Sequence, residues 1–176
     1  MNLMLDLETL STEPDAMVFD VAVVPFDDNG VVGDDHLGVL FFPQTGHIDP
    51  GTVVWWMRKE SCLLTQTNCS ETEAAEKIWE YLNRRQDFRL WAMPTSFDCI
   101  ILEQFLKRNG HGNKLPIDFR KWRDVRTVRE LAWWPEPEKR EGHVTHNPYD
   151  DCVRQIDTLA ECWRRLRTVT NQKDVG

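Results

Sequence analysis

The chain has 176 residues, of which 41% are hydrophobic and 28% charged, with a formal net charge of −8; that length suits one domain with a substantial core and is short for two. No apolar run approaches the roughly 18 residues of a membrane span, and the start of the chain lacks the pattern of a secretory signal, so the expected compartment is cytoplasmic. Five cysteines, Cys62, Cys69, Cys99, Cys152 and Cys162, are odd in number and form no C-x-x-C pair, which argues against a zinc knuckle or disulfide framework and predicts reduced, mostly buried thiols.

Strands come first along the chain and helices later. Residues 3–7 read as a short buried strand and residues 18–26 as a longer one. Asp27-Asp28-Asn29-Gly30 supplies a turn, and Val31 to Phe42 is expected to return as a partner strand, extending a hairpin from the first strand. Thr52-Val53-Val54-Trp55-Trp56 reads as an extended segment, which would send the two indoles to opposite sides. Ser70-Glu71-Thr72-Glu73 matches a capping box and predicts a helix to about Arg85, with Ala74, Ile78, Tyr81 and Leu82 on one face. A strand follows at Phe88 to Ala92. Thr95-Ser96 then offers a cap for a helix that turns Ile100, Ile101, Phe105 and Leu106 inward and ends at Asn109-Gly110.

Pro135 to Gly142 reads as a mobile loop. In the last helix Cys152, Ile156, Leu159, Trp163 and Leu166 alternate spacings of four and three, so this stripe faces the core. Asp151 lies about 100° from the stripe and reaches the edge of the core, whereas Asp150 lies about 200° away and is expected to face solvent. No repeat, low-complexity tract or linker interrupts the chain, so residues 1–176 are expected to form a single domain.

Four carboxylates and one histidine carry the chemistry. Asp6 and Glu8 follow the apolar Leu3-Met4-Leu5, and residues two apart in a strand project to the same face. One strand therefore holds two oxygen ligands side by side. Carboxylates in an apolar strand need compensating partners, and divalent ions about 3.5–4 Å apart that neutralise phosphate charge need several hard ligands of this kind. Asp98 falls in the first turn of its helix, where unpaired N–H groups and the helix dipole favour an ionised carboxylate; alone, it would be no more than a capping acid. His146 precedes its helix on a loop, and an imidazole of ordinary pKa about 6.5 takes up a proton near neutral pH. His143 is its neighbouring rival.

The order Asp6-Leu7-Glu8, then Asp98, then His146 with Asp151 five residues later resembles the DEDDh group of DnaQ-like 3′→5′ exonucleases. A closer resemblance is to the exonuclease A of T-even bacteriophages and the related mycobacterial-type 3′→5′ exoribonuclease domain. The matching blocks are Asp6-Leu7-Glu8-Thr9-Leu10, Thr52-Val53-Val54-Trp55-Trp56, Ser96-Phe97-Asp98 with Ile101-Leu102, Arg123-Asp124-Val125-Arg126-Thr127, and His146 through Cys152, in the family's order along nearly the whole chain. The resemblance implies an α/β ribonuclease H-like fold with a central mixed five-stranded sheet flanked by helices. It also implies that Asp6, Glu8, Asp98 and Asp151 bind two Mg2+ or Mn2+ ions and that His146 is the general base. The five-residue interval to Asp151 selects His146 over His143, and Tyr149 leads to Val153 where the family's tyrosine variant needs an aspartate.

The implied activity is hydrolysis from the 3′ end of single-stranded nucleic acid, DNA as the expected substrate and RNA as the alternative, releasing nucleoside 5′-monophosphates. A catalytically silent nucleic-acid-binding accessory domain is the reading of another class, and the complete acidic and histidine set argues against it. The phage-like resemblance points to a bacterial or phage-infected host cell. The net charge of −8 does not exclude such a substrate, because bound metal ions are themselves large local positive charges. Arg120, Lys121, Arg123, Arg126 and Arg129 form a local basic cluster, read either as phosphate contacts or as ion pairs with Asp118, Asp124 and Glu130. Thr9, Leu10, Trp56, Ser96 and Phe97 are the candidate substrate-binding residues. One of Trp55 and Trp56 is expected to line the substrate groove while the other packs, with packing of both as the alternative; Phe97 and Leu10 would wedge near the terminal base. Trp133-Trp134 reads as packing or partner surface.

Overall fold

The computed structural model describes residues 1–59, 67, 69–85, 87–112, 116–133 and 146–173, with side chains through residue 168. β1 (Asn2–Thr9) runs antiparallel to β2 (Val18–Asp27), with Asn2 opposite Phe26 and Glu8 opposite Asp20. At the turn, Asp27 accepts the Asn29 N–H at 2.7 Å and Gly30 takes a left-handed φ of 133°, a conformation that suits glycine. The expected return strand over 31–42 is divided into β3 (Gly30–Val31) and β4 (Leu37–Leu40), both paired with β2. Between them the chain leaves the sheet at Gly33-Asp34-Asp35. Arg84 and Arg85 hold the Asp35 carboxylate there, and the Tyr81 hydroxyl donates to its carbonyl at 2.6 Å.

A second departure concerns residues 52–56, which are helical rather than extended. α1 (Pro50–Met57) is started by Asp49, whose carboxylate accepts the Thr52 N–H at 2.6 Å, with Pro50 in the first turn. This local signature outweighs the β-propensity of valine and tryptophan. α2 (Glu71–Asn83) begins with the predicted reciprocal Ser70–Glu73 capping box. Glu71 is buried and accepts from the Gln44 and Thr45 N–H groups and from Asn109, tying α2 to the loop before α1.

β5 (Arg89–Ala92) pairs parallel to β1. α3 (Thr95–Leu106) has no side-chain cap from Thr95 or Ser96; Pro94 occupies the cap position, and the Thr95 N–H instead donates to Asp124 at 2.9 Å. The helix passes into a wider turn over Lys107–His111, with Gly110 at φ 94°. β6 (Trp122–Asp124) pairs parallel to β5 and leads directly into α4 (Val125–Leu131), which Asp124 caps by accepting from Arg126 and Thr127. α5 (Pro148–Lys173) closes the described chain.

The sheet order is β3-β2-β1-β5-β6, with β4 beside β3 along the same edge of β2, so six strands occupy five positions. Period-two alternation divides the core. Leu3, Leu5, Leu7, Val21 and Val23 pack with α2 and α3, while Met4, Ala22, Val24 and Phe26 pack with the α5 stripe of Cys152, Ile156 and Leu159. Asp6 and Glu8, in phase with Met4, therefore belong to the α5 face.

Among the described cysteines, Cys99, Cys152 and Cys162 are buried and Cys69 half-buried, all as free thiols. Trp133 is 90% exposed, which removes the packing alternative for it. Cys62, Trp134, the loop expected at Pro135–Gly142, and His143 lie outside the described residues. No helix among the described residues is long and apolar enough to cross a membrane.

Ser70→Ala removes one half of the capping box and is expected to lower folding stability by about 1 kcal/mol in urea denaturation. An unchanged midpoint would show that the cap does not anchor α2.

Candidate active site

The site lies at the carboxyl ends of β1 and β5, the edge where open α/β sheets place ligands. β1 brings Asp6 and Glu8, α3 brings Asp98 in its first turn, and the start of α5 brings His146 and Asp151. A left-handed φ of 68° at His146, unfavourable for a residue with a β-carbon, turns its backbone N–H back onto Asp151 Oδ2 at 3.1 Å. Arg154 donates to the other oxygen of Asp151 at 2.6 Å. Asp150, expected at the surface, is half-buried, and its N–H donates to Asn147 at 3.1 Å.

Burial opposes ionisation of these acids, and proximity adds to it. Glu8 is pushed up to about 8, first by burial and then by the charges of Asp151, Asp20 and Asp98. Asp98 is also raised to about 8, by burial, against the hydrogen bonds from its own and the Leu7 backbone. Asp6, half-buried, stands well above the carboxylate range because its carboxylate is desolvated and faces Asp98, Asp151 and Glu8; a hydrogen bond from Gln155 works against the shift. Burial lowers His146 and the charge of Lys59 reinforces it, which keeps the ring neutral to lower pH. Donor atoms of Glu8, His146 and Asp151 all lie within 4.8 Å of one another. Oxygen and imidazole donors held so close, in a region where negative charge is unfavourable, fit a hard divalent cation.

Three contributors were not anticipated from the sequence. Asp20, the cross-strand neighbour of Glu8, is raised to about 7 by burial. Its signal was an aspartate inside the apolar run Val18-Phe19-Asp20-Val21. Arg154 and Gln155 follow Asp151 by three and four residues, the helical spacing that places them beside it.

A groove of about 480 Å³ adjoins the carboxylates, with Glu8, Thr9, Thr12, Thr52, Trp55 and Phe97 among its walls. Trp56 also lines it but is 7% exposed, with its indole N–H bound to the Thr9 carbonyl at 2.8 Å. Trp55 is 41% exposed and meets the His146 ring edge to face at 4.7 Å. Leu10 and Ser96 are not among the groove residues: Leu10 is half-buried, with its backbone bonded to Met17 and Asp49, and Ser96 is exposed on α3. The basic cluster divides. Arg120 and Lys121 pair with Asp118 and Asp87, Arg123 donates to the Arg120 and Trp122 carbonyls, and Arg129 is buried. The exposed Arg126 lies near enough to Asp98 for its charge to favour the ionised carboxylate.

This fold is ribonuclease H-like, and the chain is a 3′→5′ exonuclease of the DnaQ-like group. Residues 1–163 match the family model described as the 3′-5′ exoribonuclease Rv2179c-like domain, and the chain belongs to that family. It is 27% identical to an exodeoxyribonuclease of Enterobacteria phage T4 over 191 aligned positions, which cover 86% of this chain and 84% of the phage protein. The zinc-bound E. coli ExoI–ssDNA complex superimposes with a TM-score of 0.61 at 16% identity, over 95% of this chain and 40% of that one. E. coli exonuclease I in complex with a 5cy-dA13 oligonucleotide gives 0.60 at 16% identity, again over 95% and 40%. The chain thus spans about 40% of the exonuclease I chains it resembles.

The raised acids make the metal-free protein sensitive to alkali. Between the ordinary 4.5 of Glu8 and its folded value of about 8, the folded protein holds protons that the unfolded chain has released. In chelator the thermal midpoint is therefore expected to fall as pH rises through that window. Mn2+ should raise the midpoint more at pH 8 than at pH 6, because it binds the deprotonated acids. A chelated midpoint that climbs steadily from pH 5 to 8 would contradict the assignment.

Proposed function

We propose that the protein removes nucleoside 5′-monophosphates from the 3′ end of single-stranded nucleic acid, DNA in the first instance, with two divalent ions held by Asp6, Glu8, Asp98 and Asp151. The observation that carries this reading is that the half-buried Asp6 stands with the buried Glu8 and Asp98 and that all three are raised, against the ordinary behaviour of surface acids. Such a set binds Mg2+ or Mn2+ through hard oxygen donors. Bound there, the ions would supply positive charge against the scissile phosphate and lower the pKa of an attacking water.

The chain's own residues do the rest. His146, neutral because its pKa is lowered, accepts the proton of the attacking water through its free ring nitrogen. Trp55 packs edge to face against that ring and limits its rotation. The groove beside Glu8 takes the terminal nucleoside, with Phe97 and the partly exposed Trp55, whose ring also carries the Lys59 ammonium at 4.3 Å, available for stacking, worth about 1–3 kcal/mol per base. Trp56, pinned beneath, shapes the groove wall and holds the Thr9 carbonyl.

RNA is the second substrate reading, favoured by the exoribonuclease description of the matching family, whereas the phage T4 relative is an exodeoxyribonuclease. Parallel digestion of 5′-labelled single-stranded DNA and RNA of one sequence, with Mg2+, Mn2+ or chelator, separates the two. The expected result is stepwise shortening from the 3′ end that chelator abolishes, faster on DNA. Activity that persists in chelator would overturn the divalent-ion reading, and RNA degraded faster would make the exoribonuclease reading correct.

Alanine at Asp6, Glu8, Asp98 or Asp151 is expected to abolish cleavage, while Asp150→Ala retains it. The reverse at 150 and 151 would place the motif one residue out of register. His146→Ala should slow single-turnover hydrolysis by roughly 10²–10⁴-fold with Mn2+ and substrate binding retained. Loss of Mn2+ binding in calorimetry would instead make His146 a ligand, as its nearness to Glu8 and Asp151 allows.

A further inference from the structure

Gln155 lies on α5 one turn beyond Asp151 and is 3% exposed. Its amide donates from Nε2 to Oδ1 of Asp6 at 2.8 Å, across the interface between α5 and β1. The carbonyl oxygen of the same side chain, Oε1, is buried and has no hydrogen-bond partner among the described residues. A buried acceptor left in this state has lost water without replacement and opposes folding. An aliphatic side chain of equal length would fill the same space without that penalty. Packing therefore gives no reason for glutamine here, whereas the orientation of Asp6 does.

We propose that Gln155 is a positioning residue for cation binding: its amide holds Oδ1 of Asp6 so that Oδ2 is presented to a divalent ion. The inference rests on the divalent-ion reading of the site given above. Among the described residues, Gln155 is the one side chain that donates a hydrogen bond to Asp6.

The chemistry of the amide suits the task. A lysine or arginine at 155 would set a fixed cation against Asp6 and compete with the ion, and a glutamate would add another acid to a region already hostile to them. An amide donates while remaining neutral. Its reach is fixed by the helix that carries it: Cys152, fully buried three residues earlier, points its thiol at the Met4 and Ala22 carbonyls at 3.6 and 3.8 Å. The preceding residue, Arg154, holds Asp151 as well, there by an ion pair at 2.6 Å rather than by a neutral amide. Consecutive α5 residues thus orient one carboxylate on their own helix and one on the strand beneath.

Gln155→Met keeps the length and removes the amide. Mn2+ alone is titrated into wild type and variant by calorimetry, with thermal midpoints measured in chelator and kcat and KM measured on a single-stranded oligonucleotide across Mn2+ concentrations. The expected result is a 10–100-fold loss of Mn2+ affinity, the usual effect of removing a group that orients a metal ligand. The chelated midpoint should be unchanged or raised, KM should stay at its wild-type value at saturating Mn2+, and kcat should recover as Mn2+ increases. Gln155→Leu likewise lacks the donor, adds no charge and carries the same expectation for Mn2+ affinity should the methionine variant not fold.

Wild-type Mn2+ affinity in a folded variant overturns the proposal. So does an affinity loss that merely follows a lowered midpoint in chelator, which is the signature of a packing role. Absence of Mn2+ binding by the wild-type protein would overturn the divalent-ion reading itself, and this inference with it.

Discussion

Desolvation of a cluster of acids is the constraint around which this chain is arranged. Asp6, Glu8 and Asp98 lie where burial opposes their ionisation, and neighbouring charges oppose it further: those of Asp98, Asp151 and Glu8 at Asp6, of Asp151, Asp20 and Asp98 at Glu8, and of Asp124 at Asp98. Nothing about the acids themselves would hold them together. The scaffold does so through elements that are stable for other reasons: the alternating faces of β1, the parallel pairing of β1 with β5, and the apolar stripe of α5 against Met4, Ala22 and Val24. Protein folds often store local destabilisation at a functional site and offset it in the surrounding core.

The same electrostatics explain how a chain of net charge −8 serves as a nuclease. The matching family is named for an exoribonuclease, the phage T4 relative is an exodeoxyribonuclease, and the E. coli exonuclease I fold superimposes on this one at low identity. A negative surface discourages indiscriminate binding along a polyanion. Positive charge gathered at one point would then reward only the terminus that reaches the groove beside Trp55 and Phe97. Most of the basic residues at 120–129 contribute to structure rather than to this purpose, through ion pairs or backbone bonds.

Much of the fold was legible because local signals and global packing agree. The apolar alternation of β1, the turn ending at Gly30, the Ser70–Glu73 capping box and the stripe of α5 each express one physical rule. The stripe also separated Asp151 from Asp150, although the latter is half-buried rather than at the surface. Legibility failed where a short-range signal competed with composition. At 52–56 the valines and tryptophans read as extended, but Asp49 and Pro50 start a helix. β6 has only three residues, two of them charged, and carries too little pattern to be seen. Neither Asp20 nor Gln155 belongs to a motif; the first joins the site through strand register and the second through a contact 149 positions distant in sequence. Such contacts arise from tertiary structure and leave no local trace.

The most direct test of the account is the stability of Glu8→Gln in chelator at pH 8. Glutamine keeps the shape of Glu8 and removes its charge from Asp6, Asp98 and Asp151, so the account predicts a higher thermal midpoint than wild type together with a loss of Mn2+-dependent stabilisation and of 3′ cleavage. A midpoint lowered by the substitution, with Mn2+ stabilisation retained, would contradict it and show that the Glu8 carboxylate is held by favourable contacts within the protein and is not needed for ion binding.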